Sequence, residues 1–151
     1  MPPDDNNILR VLNVGDCKLI VIRDGVIVKQ SKDIIHYFDC PFQLSEDSPD
    51  RARDGTKLSF ELMKGDIIVS GSDGVFDNIS EKRIARIINS KLWSISSQAI
   101  VDKICNEARK VSLDDQAETP YAKVAKRYYD EYSQGVGGKV DDISCIMVRC
   151  T

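Results

Sequence analysis

The stretch Gly71-Ser-Asp-Gly-Val-Phe-Asp-Asn78 decides how this chain is read. It follows Asp66-Ile-Ile-Val-Ser70, whose apolar centre predicts a buried strand, so two carboxylates four residues apart stand where that strand ends. Carboxylates at a strand end are held more firmly than those on a mobile loop. Gly74 removes side-chain bulk beside them, where a ligand or a backbone must come close. This pattern makes Asp73 and Asp77 candidates for service at a metal site.

Two further stretches share the context of a strand end beside small residues: Asn13-Val-Gly-Asp16 and Gly138-Lys-Val-Asp-Asp-Ile143. Hard divalent cations such as Mg²⁺ and Mn²⁺ take oxygen ligands in octahedral geometry, which fixed carboxylates can supply. Positions 16, 73 and 141 meet only if sheets bring their strand ends together, as an antiparallel sandwich does. Each cluster taken singly also reads as turn chemistry, since Asp and Gly favour turns, and Asp24-Gly25 is read that way. Two other motifs fail on their spacing. A phosphate-binding loop across positions 133–140 would need glycine at the first and Ser or Thr at the last, and a calcium loop starting at Asp73 would need glycine at its sixth position.

Around these clusters the chain alternates between two periods. Aliphatic-rich segments at Ile8–Val14, Leu19–Arg23 and Val26–Val28 predict a β-meander, the last two joined through Asp24-Gly25. Leu58-Ser-Phe-Glu-Leu62 alternates as a half-buried strand and, through Lys64-Gly65-Asp66, predicts a second hairpin with Ile67–Val69. Between them, Asp39–Thr56 is rich in Pro, Ser, Asp and Arg and predicts a long exposed loop. After Ser80, an N-cap, the residues Ile84, Ile87, Ile88 and Leu92 recur at helical spacing. Val101, Ile104, Cys105, Ala108 and Val111 repeat that pattern. Thr119-Pro120 opens a third helix, with Tyr121, Val124, Ala125, Tyr128 and Tyr132 on one packing face. Ile143–Val148 closes as a strand.

The 151 residues, 42% of them hydrophobic, suit one globular domain or a large part of one. A net charge of -3 with both signs interspersed gives no basic stripe, which argues against a nucleic-acid partner. No apolar run approaches the roughly 20 residues of a transmembrane helix. The five cysteines are odd in number, form no CxxC pair and sit beside apolar segments, as reduced, buried thiols in an intracellular compartment would. His36 is the only histidine and lacks zinc-site partners, so it reads as structural. The acidic opening Met1-Pro-Pro-Asp-Asp-Asn-Asn7 has the character of neither a secretory signal nor a transit peptide.

The three clusters, in this order, resemble three motifs of the metal-dependent Ser/Thr protein phosphatases of type 2C: Asn13-Val-Gly-Asp16, Ser72-Asp-Gly-Val-Phe-Asp77 and Gly137-Gly-Lys-Val-Asp-Asp-Ile-Ser144. His36-Tyr-Phe-Asp-Cys-Pro-Phe-Gln-Leu44 and Gly74-Val-Phe-Asp-Asn78 extend the resemblance to an organellar branch related to the T-cell activation phosphatase. The resemblance covers about residues 8–149. It implies an α/β fold, part of an α-β-β-α sandwich with antiparallel sheets flanked by helices. It also implies a two-metal Mg²⁺ or Mn²⁺ centre whose bridging water attacks the phosphorus of phosphoserine or phosphothreonine without a phosphoenzyme.

By position in the motifs, Asp73 and Asp141 resemble the two aspartates that bind the first metal. Asp16 resembles one that serves a weaker third metal together with the residue matching Asp73. Asp77 matches an aspartate close by that acts through water or a neighbouring ligand, while Asp142 and Gly74 are supporting. No residue of the chain is assigned by this resemblance to direct catalysis or to substrate binding. The chain has Gly15-Asp-Cys-Lys18 where the family has Gly-Asp-Ser-Arg, a local departure. The family's Asp-Gly-x-Gly-Gly motif, its upstream acidic residue and its phosphate-binding basic residue have no match before Asn13. Two readings follow: the carboxy-terminal portion of a longer phosphatase acting on phosphoproteins, or a noncatalytic binding or regulatory module derived from the fold. The branch implies mitochondria or plastids. Oligomeric state is left open.

Overall fold

The computed structural model describes residues 7–89 and 95–151. Leu92, expected to extend the apolar stripe of a helix, and most of the opening segment lie outside the described residues.

The chain begins with β1 (Ile8–Asn13), β2 (Lys18–Arg23), β3 (Val26–Gln30) and the short β4 (Ile35–Tyr37) and β5 (Cys40–Pro41). β6 (Thr56–Glu61) and β7 (Ile67–Gly71) lead into α1 (Asp73–Phe76), α2 (Glu81–Asn89), α3 (Ser97–Ser112) and α4 (Pro120–Ala125), before β8 (Cys145–Arg149). Among the described residues, one sheet runs β3-β2-β7-β8, a second pairs β1 with β6 and a third pairs β4 with β5, all antiparallel. This is the mixed α/β architecture expected from the sequence.

The hairpin between β2 and β3 forms as read. Arg23 pairs with Val26, and the two residues between them, Asp24 (φ 49°) and Gly25 (φ 79°), both take the positive φ that a tight hairpin matching strand twist requires. The rest of the predicted strand pairing is overturned. β1 pairs with β6 and not with β2, so the amino-terminal third is no meander, and β6 and β7 lie in different sheets and form no hairpin. An ion pair whose carboxylate is buried stands at the second connection and favours β7 beside β2. Asp66 is fully buried, accepts two 2.7 Å hydrogen bonds from Arg23 of β2 and a 2.8 Å bond from the Met63 amide, and so joins β7 to β2. Arg23 also reaches the Glu61 carbonyl at 3.1 Å and lies over the Phe60 ring, linking the second sheet to the first.

Ile20, Ile22, Ile67 and Val69 face the helices and meet Val75, Phe76, Ile84, Ile88, Ile100, Ile104, Ala108 and Val111 in one buried cluster. α2 buries the Ile84–Ile88 stripe and leaves Lys82, Arg83 and Arg86 exposed, as the 3.6-residue period requires. Ser80 caps it through the Arg83 amide, and Ser96 caps α3 through the Ala99 amide. α4 is capped by Thr119 as expected but stops at Ala125. Tyr128 and Tyr129 donate their amides back to the Ala125 carbonyl, and their rings gather on Phe38, Tyr128 stacking at 4.5 Å. Val124 and Tyr128 are therefore exposed rather than part of one packing face.

The Asp39–Thr56 segment is less open than its composition suggests. It holds β5, a turn of 3₁₀ helix at Ala52–Asp54 and a buried Asp50 that accepts from the Gln43 amide and pairs with His36. His36 stacks on Phe42, a structural placement. All five cysteines are free, but none is fully buried and Cys17 is exposed, because their segments reach the surface at those positions.

Candidate metal centre

The register of the four-stranded sheet sets the site. Lys18 at the start of β2 pairs with Gly71 at the end of β7, and Gly71 pairs with Cys145 at the start of β8. Asp16 precedes β2, Asp73 follows β7 and Asp141 precedes β8, so antiparallel pairing delivers all three carboxylates to one end of the sheet. Residues 57 and 125 positions apart in sequence from Asp16 thereby become neighbours of one edge.

Two hydrogen-bonding side chains join the loops there. Ser72 Oγ donates to the Asp142 carbonyl at 2.9 Å and accepts from the Ser144 amide at 3.1 Å. Asn78, fully buried, donates to the Gly74 carbonyl at 2.9 Å and to the Lys139 carbonyl at 2.8 Å, and accepts from the Lys139 amide at 2.9 Å. Gly74 is required by close approach rather than by φ: a Cβ there would stand 2.3 Å from the Asp142 carbonyl oxygen. Asp73 accepts the Gly74 amide and Asp141 accepts the Asp142 amide, which orients both carboxylates.

The centre of this arrangement is Lys139, which the sequence reading did not single out. Its ammonium donates to Asp77 and Asp39 at 2.9 Å each, stands 3.4 Å from Asp73 and 4.0 Å from Asp141, and lies over the Tyr121 ring. Asp39, also missed, comes from the turn between β4 and β5 in a left-handed conformation (φ 61°), and accepts from the Tyr121 hydroxyl. A lysine beside two aspartates in Lys139-Val-Asp-Asp142 was the available signal; nothing local announced that Asp39 would reach it.

Electrostatics follow from this crowding. Burial pushes the Asp77 carboxyl up to about 6, against the opposing hydrogen bond from Lys139. Burial would lower the Lys139 ammonium, but its contacts with Asp77 and Asp39 outweigh that and hold it above the ordinary lysine value. Asp16 is raised by burial and then by the charge of Asp73, and it makes no ion pair with Lys139. Lys18, at the position of the local departure, is neutralised by Glu81 at 2.9 Å and Asp33 at 3.7 Å.

The donor set is all carboxylate oxygen, the chemistry of a hard cation, and Asp73 and Asp141 both come within 4.0 Å of a single positive charge. In charge and atom type the residues fit a cation, while among the described residues no group of three or more His, Cys, Asp and Glu is arranged to hold a metal ion.

Comparison with known proteins defines the class. The chain is 37% identical to "Probable protein phosphatase 2C 1" of Oryza sativa subsp. japonica, across 97% of its own length and 46% of the relative's. It is 34% identical to "Protein phosphatase PTC7 homolog" of Homo sapiens, over 92% and 48% respectively. The solved photosystem II phosphatase PBCP superposes with a TM-score of 0.86 at 34% identity, covering 98% of this chain and 61% of that one. No family model matches the chain. Over nearly all its own length the chain is homologous to proteins named type 2C protein phosphatases. It spans about half the length of the curated relatives it matches. No helix among the described residues is long and apolar enough to cross a membrane.

Proposed function

We propose that the chain is the carboxy-terminal portion, residues 8–149, of a metal-dependent protein serine/threonine phosphatase, and that Asp73, Asp141 and Asp16 are its share of a Mg²⁺ or Mn²⁺ centre. The observation that carries this reading is the register Lys18–Gly71–Cys145, which sets the three motif carboxylates at one sheet end. When bound, a divalent cation supplies charge neutralisation at the phosphoryl oxygens and a lowered pKa for water.

The chain's own residues act around that chemistry. Asp73 and Asp141 present oxygen ligands, fixed by the Gly74 and Asp142 amides. Ser72 and Asn78 hold the two ligand-bearing loops at constant separation. Asp77 lies alongside as a carboxylate that reaches the centre indirectly. The remaining ligands and the groups that grip substrate phosphate come from sequence beyond the matched half, so the 151-residue chain alone has little or no phosphatase activity. Phosphoserine and phosphothreonine proteins are the substrate class. The likeness to a photosystem II phosphatase supports an organellar setting, mitochondrial or plastid.

The test is a chimaera joining the preceding half of the rice relative to residues 8–149, assayed on a phosphothreonine peptide with Mn²⁺. Hydrolysis is expected, with loss on Asp73→Asn. A folded chimaera that binds Mn²⁺ and leaves the peptide intact overturns the proposal.

A further inference from the structure

Lys139 is placed with unusual care for a lysine. Asn78 clasps its amide and its carbonyl, so the backbone is pinned at the carboxylates. Its side chain is only 19% exposed, and the ammonium has Asp39 and Asp77 at 2.9 Å, Asp73 at 3.4 Å and Asp141 at 4.0 Å. An ammonium has three donors, and two of them are spent on Asp39 and Asp77, neither of which is needed to hold the first metal.

We propose that Lys139 is a tethered rival of the divalent cation: its ammonium holds the carboxylates together in the metal-free protein and competes with the metal for Asp73 and Asp141. The proposal rests on the metal-centre reading above and adds what sets the affinity of that centre. Carboxylates this close repel one another unless a positive charge stands among them. Lys139 supplies that charge in the free chain.

A +1 ammonium and a +2 ion cannot share the same oxygens without strong repulsion at these separations. The lysine stem is flexible enough to withdraw, whereas a guanidinium fork would lock the carboxylates in place. Asp39 is the anchor that biases the contest. It binds Lys139 from the turn between β4 and β5, is held by the Tyr121 hydroxyl, and is not among the proposed metal ligands. Metal binding then has to break the Lys139 contacts to Asp73 and Asp141, and affinity is lowered by their strength.

The experiment titrates the 151-residue chain with Mn²⁺, reading bound ion from the loss of the free-ion electron paramagnetic resonance signal, beside thermal melts with and without metal. Lys139→Met keeps the stem and removes the charge. It is expected to bind Mn²⁺ about tenfold more tightly than the wild type, the order set by deleting one like charge within about 4 Å of a partly exposed site, and to melt lower without metal. Asp39→Asn, which leaves the proposed ligands untouched, is expected to shift affinity the same way by a smaller factor.

A folded Lys139→Met chain with unchanged or weaker Mn²⁺ binding overturns the proposal while leaving the metal centre standing. Should that variant not fold, a folded Asp39→Asn chain with unchanged affinity overturns it. Equal absence of Mn²⁺ binding in wild type, both variants and Asp73→Asn overturns the competition in this chain, while the metal centre itself stands or falls with the chimaera.

Discussion

Asn78 and Lys139 exchange two hydrogen bonds across 61 residues of sequence, the Lys139 amide donating to Asn78 Oδ1 at 2.9 Å and Asn78 Nδ2 donating to the Lys139 carbonyl at 2.8 Å. One side chain thus satisfies the backbone of a loop that has no sheet partner of its own, and the same amide group also holds the Gly74 carbonyl. The motif ending in Asn78 and the motif containing Asp141 are therefore one mechanical unit.

Removing the clasp strands buried backbone groups. Asn78→Ala is expected to destabilise the chain by about 1–3 kcal/mol in urea denaturation, the cost of leaving buried polar groups unpaired. It is also expected to weaken Mn²⁺ binding, since the loop carrying Asp141 loses its fixed distance from Asp73. Stability equal to wild type in the denaturation curve would show that water replaces the clasp without cost.

Gly74 is the second contact between the loops. Gly74→Ala puts a methyl carbon 2.3 Å from the Asp142 carbonyl oxygen, where backbone and not a flexible side chain must give way. Overpacking of this kind costs about 1–3 kcal/mol. A shift in the amide resonances of Asp141 and Asp142, together with reduced metal affinity, is the expected readout, and unmoved resonances would contradict the close approach.

How far the sequence made this legible divides along local and long-range lines. The Asp24-Gly25 hairpin, the caps at Ser80 and Thr119 and the stripe Ile84–Ile88 rest on neighbours in sequence and were readable there. The pairing of β1 with β6, and the separation of β6 from β7, go with Asp66 meeting Arg23 across 43 residues, a contact no periodicity encodes. At the site, Asp16, Asp73 and Asp141 were readable as motif residues, and the structure sets them at one sheet end. Lys139 and Asp39 were invisible as a pair, because the contact spans 100 residues and needs the fold to exist first.

The Arg23–Asp66 pair sets a pH dependence whose sign is fixed. Hydrogen bonds from Arg23, joined by that of the Met63 amide and opposed by burial, hold Asp66 below the usual carboxylate range. A carboxyl with a depressed folded-state pKa contributes stability that is complete above its unfolded value, near 3.8, and is lost as pH falls through the lower folded value. Thermal midpoints followed from pH 6 downward are thus expected to drop below about pH 4. Asp66→Asn should be less stable at neutral pH and show a shallower acid limb. An acid limb as steep as that of the wild type would assign the loss to other carboxylates.

The margin of the four-stranded sheet carries the last expectation. β8 is the outermost strand beside β7, turns Cys145 and Met147 toward the core and leaves Ile146 and Val148 on the other face, 66% and 48% exposed. An edge strand with apolar residues and, among the described residues, no covering element on that face invites pairing with another chain. The 151-residue chain alone is expected to self-associate with rising concentration. Ile146→Lys should suppress this without disturbing the core, because a charge on an exposed edge position repels a second copy while its side chain stays in water. Sedimentation velocity across a concentration series distinguishes the outcomes: a wild-type chain that stays monomeric throughout would show that the exposed row is too short to recruit a partner strand, and an Ile146→Lys chain that associates like the wild type would place the contact elsewhere.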